Sequence, residues 1–327
     1  MTNIKHSRRS AMLRTAILRA ALLACALVGA SALSAQAKPA PKGAASATSR
    51  GPTLDRIKAS GKIRFGYRTD ARPFSFKDDK GDAAGYSVAL CLKAADAIKA
   101  SLGIASLGVE WVPVSVGDRF TAVQQGTVDL FCGADTRTVS RMQDVAFSIP
   151  IFPGGIGAMI RSDAPVRLSQ ILSGRPNTDP VWRASAGQLL QTQTFTVVEG
   201  TTAQPWLTGK LNSFQLTAKV SPVKDYAAGV QALRDRTANV FFGDRSILLE
   251  TAARQATPGE VVVIDRNFTY ETLALTMARN NGDLRVLVDG TLSRFYQTPA
   301  FWTLYAQWFG KPEVGTHAFF MWLTMPE

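Results

Sequence analysis

The sequence predicts an α/β protein built as two similar halves. Segments that read as strand, helix and strand follow one another at the lengths a sheet with crossover helices requires. The series runs once from about residue 53 to 132 and again from about residue 195 to 242. The composition, 46% apolar and 19% charged, is that of a chain that buries a core. At 327 residues the chain is long enough for one large domain or two medium ones.

Residues 53–61 read as a short helix, with Thr53 as its cap and Gly61 as its end. Residues 62–67 alternate polar and apolar, as a strand does. The polar stretch around Pro73 and from 78 to 85 reads as a loop. In 86–101, Val88, Leu90, Leu92, Ala95 and Ile98 suit a helix. Strand 108–114, helix 119–126 and strand 128–132 complete the first half. Residues 159–194, rich in Pro, Ser and Gly, are expected to be irregular. Strand 195–198 leads through Gly200, Thr201 and Thr202 into a helix. Segments 218–220, 227–234 and 239–242 repeat strand, helix and strand. A strand at 273–277 and helices at 284–296 and 300–309 close the chain.

The charge is unevenly spread. Lys plus Arg is 37 against 25 acidic residues, a formal net charge of +12. Five of the basic residues (Lys5, Arg8, Arg9, Arg14 and Arg19) precede an apolar run over 20–33 and a small-residue site ending in Ala37. This is the pattern of a secretory leader, expected to be cut after Ala37. The run is short for a membrane span. Cys25 sits in the middle of it, where a lipoprotein signal would place its cysteine at the end. Residues 38–52 read as a flexible linker. The basic residues that remain form no continuous run, so a nucleic-acid stripe is not expected.

Only three cysteines and two histidines occur, which excludes a multi-histidine metal site and a repeated CxxC zinc module. No metal or cofactor is expected. Beyond the leader, Cys91 and Cys132 remain as an even pair. In an oxidising compartment they are candidates for a disulfide, the alternative being two buried thiols.

Gly85-Tyr86-Ser87-Val88, then residues 126–133 (GTVDLFCG), then 136–148 form an ordered set. Within the last, Thr136-Arg137-Thr138-Val139-Ser140-Arg141 is followed by Val145-Ala146-Phe147-Ser148. With residues 68–76, Glu199-Gly200-Thr201-Thr202 and Trp308-Phe309-Gly310, the set resembles the extracellular solute-binding proteins, family 3, of polar amino-acid ABC transporters. The resemblance spans about residues 53–312. It implies a type II periplasmic binding protein fold, two α/β lobes joined by two crossover strands that close on a ligand. Lobe 1 would comprise 53–153 plus 272–327, and lobe 2 would comprise 154–271. The protein is expected to be periplasmic and monomeric, with an amino-acid ligand and a membrane ABC permease as partners.

The resemblance also implies roles for residues. Arg141 matches the arginine that grips the ligand α-carboxylate, where a planar fork pairs bidentately. Asp244, at the end of an apolar strand, matches the carboxylate that meets the α-ammonium; it also reads as the cap of the next helix. Asp135 and Thr136 occupy the segment that offers polar groups to the ligand. Asp135 departs from the family pattern, as does Arg137; its carboxylate is open to two partners, the ligand ammonium or Arg137 as a local ion pair. Gly200, Thr201 and Thr202 form a helix start suited to anions. Arg68 resembles the arginine that meets a side-chain carboxylate in glutamate/aspartate binders, with Arg72 and Arg119 as further cations near the mouth. An acidic ligand is therefore expected. Phe74, Phe76, Trp302, Trp308 and Phe309 read as core.

No Ser-His-Asp order, GxSxG, HExxH or Walker A stretch occurs, so the chain is expected not to be an enzyme. His317, the one histidine beyond the leader, reads as structural or exposed. Two alternatives stand beside the binder. One is a dehydratase-like enzyme on the same scaffold, with Asp135 or Glu271 as acid or base. The other is a ligand-free sensor or helper.

Overall fold

A computed structural model describes residues 51–174, 183–255, 257 and 259–326. The leader, the expected cut after Ala37 and nearly all of the 38–52 linker lie outside the described residues.

Alternation places the strand Lys62–Tyr67 as expected: Ile63 and Phe65 are fully buried while Lys62 is exposed. It lies between Gly108–Pro113 and Leu130–Thr136, parallel to both. The sheet continues antiparallel through Glu271–Ala278 to Val145–Phe147, and Phe152–Gly154 also pairs with Glu271–Ala278. A second sheet runs in the order Lys219–Val223, Thr194–Val198, Val240–Asp244, Ile156–Arg161 and Val261–Val263. Its first three strands are parallel, and the last two join antiparallel. Helices make the parallel crossovers, because parallel neighbours cannot be joined by a tight turn. Tyr86–Leu102 leads to Gly108–Pro113, Arg119–Gln124 to Leu130–Thr136, Ala203–Ser213 to Lys219–Val223, and Tyr226–Arg234 to Val240–Asp244.

The chain passes between the sheets twice. It leaves the first at Phe152–Gly154 and enters the second at Ile156–Arg161; it returns after Val261–Val263 into Glu271–Ala278. The two passages lie side by side, with Glu271 opposite Gly154 and Leu273 opposite Phe152. At Gly155 a Cβ would stand 2.2 Å from the carbonyl oxygen of Thr269, so only glycine lets the passages approach this closely. Tyr86 donates its hydroxyl to the carbonyl of Ile151 at 2.9 Å, and Tyr296 to that of Pro150 at 2.7 Å. Both hydroxyls fasten the outgoing passage to helices of the first sheet.

Gly85, just before Tyr86, has φ of 127°, and a Cβ there would lie 2.2 Å from the carbonyl oxygen of Phe74. Backbone strain and contact both require glycine at this start of a motif. Phe74 and Phe76 are buried, as expected of core. Phe74 packs on Phe152 at 5.0 Å and on Phe309 at 5.5 Å. Phe309 in turn lies 4.4 Å from Phe152, and Trp308 lies 5.8 Å from Phe76. His317 is exposed and stacks on Trp302 at 4.7 Å.

The structure corrects several elements. Thr53 does not cap the first helix, which spans Pro52–Ser60 with Gly51 as N-cap. Pro52 suits the first helical position, and the Thr53 hydroxyl instead donates to Asn281 Oδ1 at 2.6 Å. The loop after Arg68 contains a small antiparallel sheet of Asp70–Ala71, Ser75–Lys77 and Ala83–Ala84. The stretch expected to be irregular holds the strand Ile156–Arg161 and the helices Val166–Ser173 and Arg183–Gln191. Residues 175–182, inside that stretch, lie outside the described residues. The helix Val314–Trp322 was not legible from its pattern.

Cys91 and Cys132 are bonded, with Cα atoms 6.1 Å apart. The bond ties the helix Tyr86–Leu102 to the strand Leu130–Thr136, and both residues are fully buried. Closing a loop of 41 residues is worth about 4 kcal/mol in the chain-entropy model. Replacing both cysteines by alanine is expected to lower the unfolding free energy by an amount of that order, read as a lower denaturant midpoint. An unchanged midpoint, or alkylation of both thiols without reductant, would contradict the bridge.

Candidate functional site

A small cavity, ≈ 40 Å³, lies where the two sheets face each other beside the crossing strands. From the first sheet's side Arg68, Arg119, Asp135, Thr136 and Arg141 line it. Thr201, Thr202, Tyr226 and Asp244 line it from the second, and Glu271 from the returning strand. Arg68, Asp135, Thr136, Arg141, Thr201, Thr202 and Asp244, singled out from the sequence, are thus brought to one place. Gly200 contributes its carbonyl oxygen at the edge, where it accepts from Arg119 Nη2 at 3.1 Å and from Arg141 Nη2 at 3.3 Å.

The strand Leu130–Thr136 ends at Thr136, and a turn carries the chain into the short helix Arg141–Gln143. The Thr138 hydroxyl accepts from the backbone N–H of Arg141 at 3.2 Å and fixes this turn. The Arg141 guanidinium folds back over the Phe120 ring at 5.1 Å and donates to the Thr136 carbonyl at 2.9 Å. Among the described residues no carboxylate stands at ion-pair distance from it. Burial, and then the like charge of Arg119, hold its pKa below the usual arginine range. This is a partly buried cation with no carboxylate at ion-pair distance, the state that favours an incoming carboxylate.

Asp244 ends the strand Val240–Asp244. Its Oδ1 caps the following helix, accepting from the N–H groups of Ser246 at 3.0 Å and Ile247 at 3.2 Å. The capping expectation and the cleft position therefore hold together. Its Oδ2 has no hydrogen-bond partner among the described residues. Burial raises its pKa to about 7 against the pull of those two N–H groups, and Glu271 adds to the rise. Tyr226 was not anticipated. Its hydroxyl accepts from the Asp244 N–H at 3.1 Å, and burial, then Asp244, pushes its phenol above the usual range.

The other two arginines differ from Arg141. Arg68 forms a bidentate pair with Asp70, at 2.9 Å from Nε and 2.7 Å from Nη2. Arg119 is 3% exposed and pairs through Nε with Asp135, 6% exposed, at 2.6 Å. Thr276 donates to the other Asp135 oxygen at 3.0 Å. Asp135 is thus the partner of Arg119, not of Arg137. The sequence placed Arg119 and Asp135 near one another in function but gave no signal that they pair, because they sit on different elements. Arg72 stacks over Phe76 at 3.6 Å and stands 3.9 Å from Glu250.

Glu271 accepts from Thr269 at 2.8 Å through Oε1, and from Thr136 at 2.9 Å and Thr202 at 3.0 Å through Oε2. Thr136 and Thr202 belong to the two opposed sides, so this carboxylate bridges the cleft. Among the described residues no group of three or more His, Cys, Asp or Glu is placed to hold a metal ion.

Two sheets joined by two crossing strands, with a polar cavity between them, define the type II periplasmic binding protein fold. The sequence profile of the bacterial extracellular solute-binding proteins, family 3, matches residues 63–311, and the chain belongs to that family. It is similar to the "Glutamate/aspartate import solute-binding protein" of Salmonella typhimurium strain LT2, 26% identical over 267 residues that cover 81% of this chain and 82% of the relative. A "L-glutamate/L-aspartate-binding protein" of Pseudomonas aeruginosa is 26% identical over 261 residues, 80% of each chain. Among solved structures, an ancestral amino acid-binding protein described as a precursor of cyclohexadienyl dehydratase is 26% identical, with a TM-score of 0.62. That match covers 79% of this chain and 99% of the other. The family, its polar amino-acid ligands and the periplasmic setting of its members are those the sequence motifs implied.

The raised Asp244 pKa makes a pH prediction. Its folded value, about 7, lies above the ordinary 3.8, so folding favours the neutral form. The stability it contributes is fully present below about 4 and is lost as pH rises through about 7. The empty wild type should therefore lose thermal stability relative to Asp244→Asn as pH rises over that window. Parallel pH profiles for the two proteins would contradict the assignment.

Proposed function

We propose that the chain is a periplasmic, monomeric solute-binding protein that captures a free α-amino acid and delivers it unchanged to a membrane ABC permease. Capture would proceed by closure of the two lobes, 53–153 with 272–327 and 154–271, after export and cleavage at Ala37. The observation that carries the reading is the pair Arg141 and Asp244. Among the described residues, one is a partly buried guanidinium with no carboxylate at ion-pair distance, and the other a partly buried carboxylate whose Oδ2 has no hydrogen-bond partner. They line the same cavity from opposite sheets. A zwitterion that gives its carboxylate to Arg141 and its ammonium to Asp244 pairs both charges at once, as burial requires.

For the ligand side chain, Arg68 and the names of the glutamate/aspartate-binding relatives favour an acidic group. The pairing of Arg68 with Asp70 and of Arg119 with Asp135 favours a different one, argued below. Binding without chemistry is supported by the solute-binding names of the relatives. An enzymatic role would show itself as consumption of the ligand.

Arg141→Ala is expected to lower amino-acid affinity at least about 100-fold, because it leaves a buried carboxylate unpaired. Circular dichroism should be unchanged, since this side chain makes no ion pair among the described residues. Titration calorimetry with unaltered affinity would refute the role of Arg141.

A further inference from the structure

We infer that this cleft selects a ligand side chain bearing hydrogen-bond donors (a carboxamide, guanidinium or ammonium) and rejects a carboxylate, with Glu271 as the residue that receives it. The inference rests on the proposed capture of an amino acid through Arg141 and Asp244.

Three arginines line the cavity. Arg68 and Arg119 enter it already neutralised, by Asp70 and by Asp135. Among the described residues, Asp244 and Glu271 have no cation at ion-pair distance. The α-carboxylate and α-ammonium of the ligand satisfy Arg141 and Asp244. Glu271 then remains as a carboxylate without a counter-charge. A second carboxylate on the ligand would add like charge beside it; a cation or a donor would pair with it.

The hydrogen bonds point the same way. A hydroxyl has one proton and two lone pairs. The protons of Thr136 and Thr202 are spent on Glu271 Oε2, and that of Thr201 on the Val198 carbonyl at 2.7 Å. The backbone N–H of Gly200 donates to Gln204 Oε1 at 3.1 Å, and that of Thr201 to the Val198 carbonyl at 3.3 Å. The Gly200–Thr202 turn, anion-binding in outline, has therefore committed these donors. Its threonine hydroxyls, with Thr136, present lone pairs to the cavity. Around Glu271 these hydroxyls offer acceptors, which meet an amide or a cation with bonds and a carboxylate with none.

Titration calorimetry at pH 8 with glutamine, arginine, glutamate and aspartate tests this. Glutamine or arginine should bind wild type at least about 100-fold tighter than either acid. Glu271→Gln should narrow that ratio at least about tenfold. Asp70→Asn, at a partly exposed position, frees the Arg68 fork and should raise glutamate affinity at least about tenfold. Tighter binding of glutamate to wild type, an unchanged ratio in Glu271→Gln, or unchanged glutamate affinity in Asp70→Asn would overturn the inference while leaving amino-acid capture intact. Binding of none of the four would overturn capture itself, and the inference with it.

Discussion

A charge taken out of water needs an opposite charge, and the cleft is organised around that requirement. Arg119 and Asp135, both almost fully buried, meet at 2.6 Å, and Thr276 holds the second oxygen of Asp135. The pair closes the floor on the side of the first sheet. Arg68 with Asp70 does the same at its edge. With these two cations satisfied internally, Arg141 is left as the cation that an incoming group can pair with. Removing one member of a buried pair costs several kcal/mol, so this pattern is also part of what holds the cleft in shape.

Polar contacts from these groups also join the two sides of the cleft. Gly200 accepts from two arginines of the opposite side, Glu271 bridges Thr136 to Thr202, and Arg72 faces Glu250. Each contact is polar and small. A cleft closed by such bonds can exchange them for water on opening and for ligand groups on binding, at a modest net cost per bond. The crossing strands beneath are different in kind. Gly155 packs against the Thr269 carbonyl, and two tyrosine hydroxyls fasten 150–151 to helices.

Much of the fold was legible because period-2 and helical patterns follow from burial on one face. Lys62–Tyr67, Tyr86–Leu102, Tyr226–Arg234 and Pro299–Phe309 fall within a residue or two of their expected bounds. Residues 159–194 were not legible, since a buried strand such as Ile156–Arg161 and two short helices show little period. In the site, the motif residues were found because each ends a strand or opens a helix at a fixed spacing. The pairs Arg68 with Asp70 and Arg119 with Asp135, the bridge through Glu271 and the contact of Tyr226 with Asp244 were not. Most of these join residues far apart in the chain, and even the short-range pair depends on where a loop folds back.

The central claim is that the cleft recognises both charges of a free α-amino acid. Thermal shift with matched probes tests it most directly: glutamine and arginine, each beside its N-acetyl and its carboxamide derivative. Ligand at one hundred times its dissociation constant adds about 2.7 kcal/mol, a readable shift. The account predicts a shift with at least one free amino acid and none with its blocked derivatives. An equal shift with a derivative lacking the ammonium or the carboxylate would contradict it.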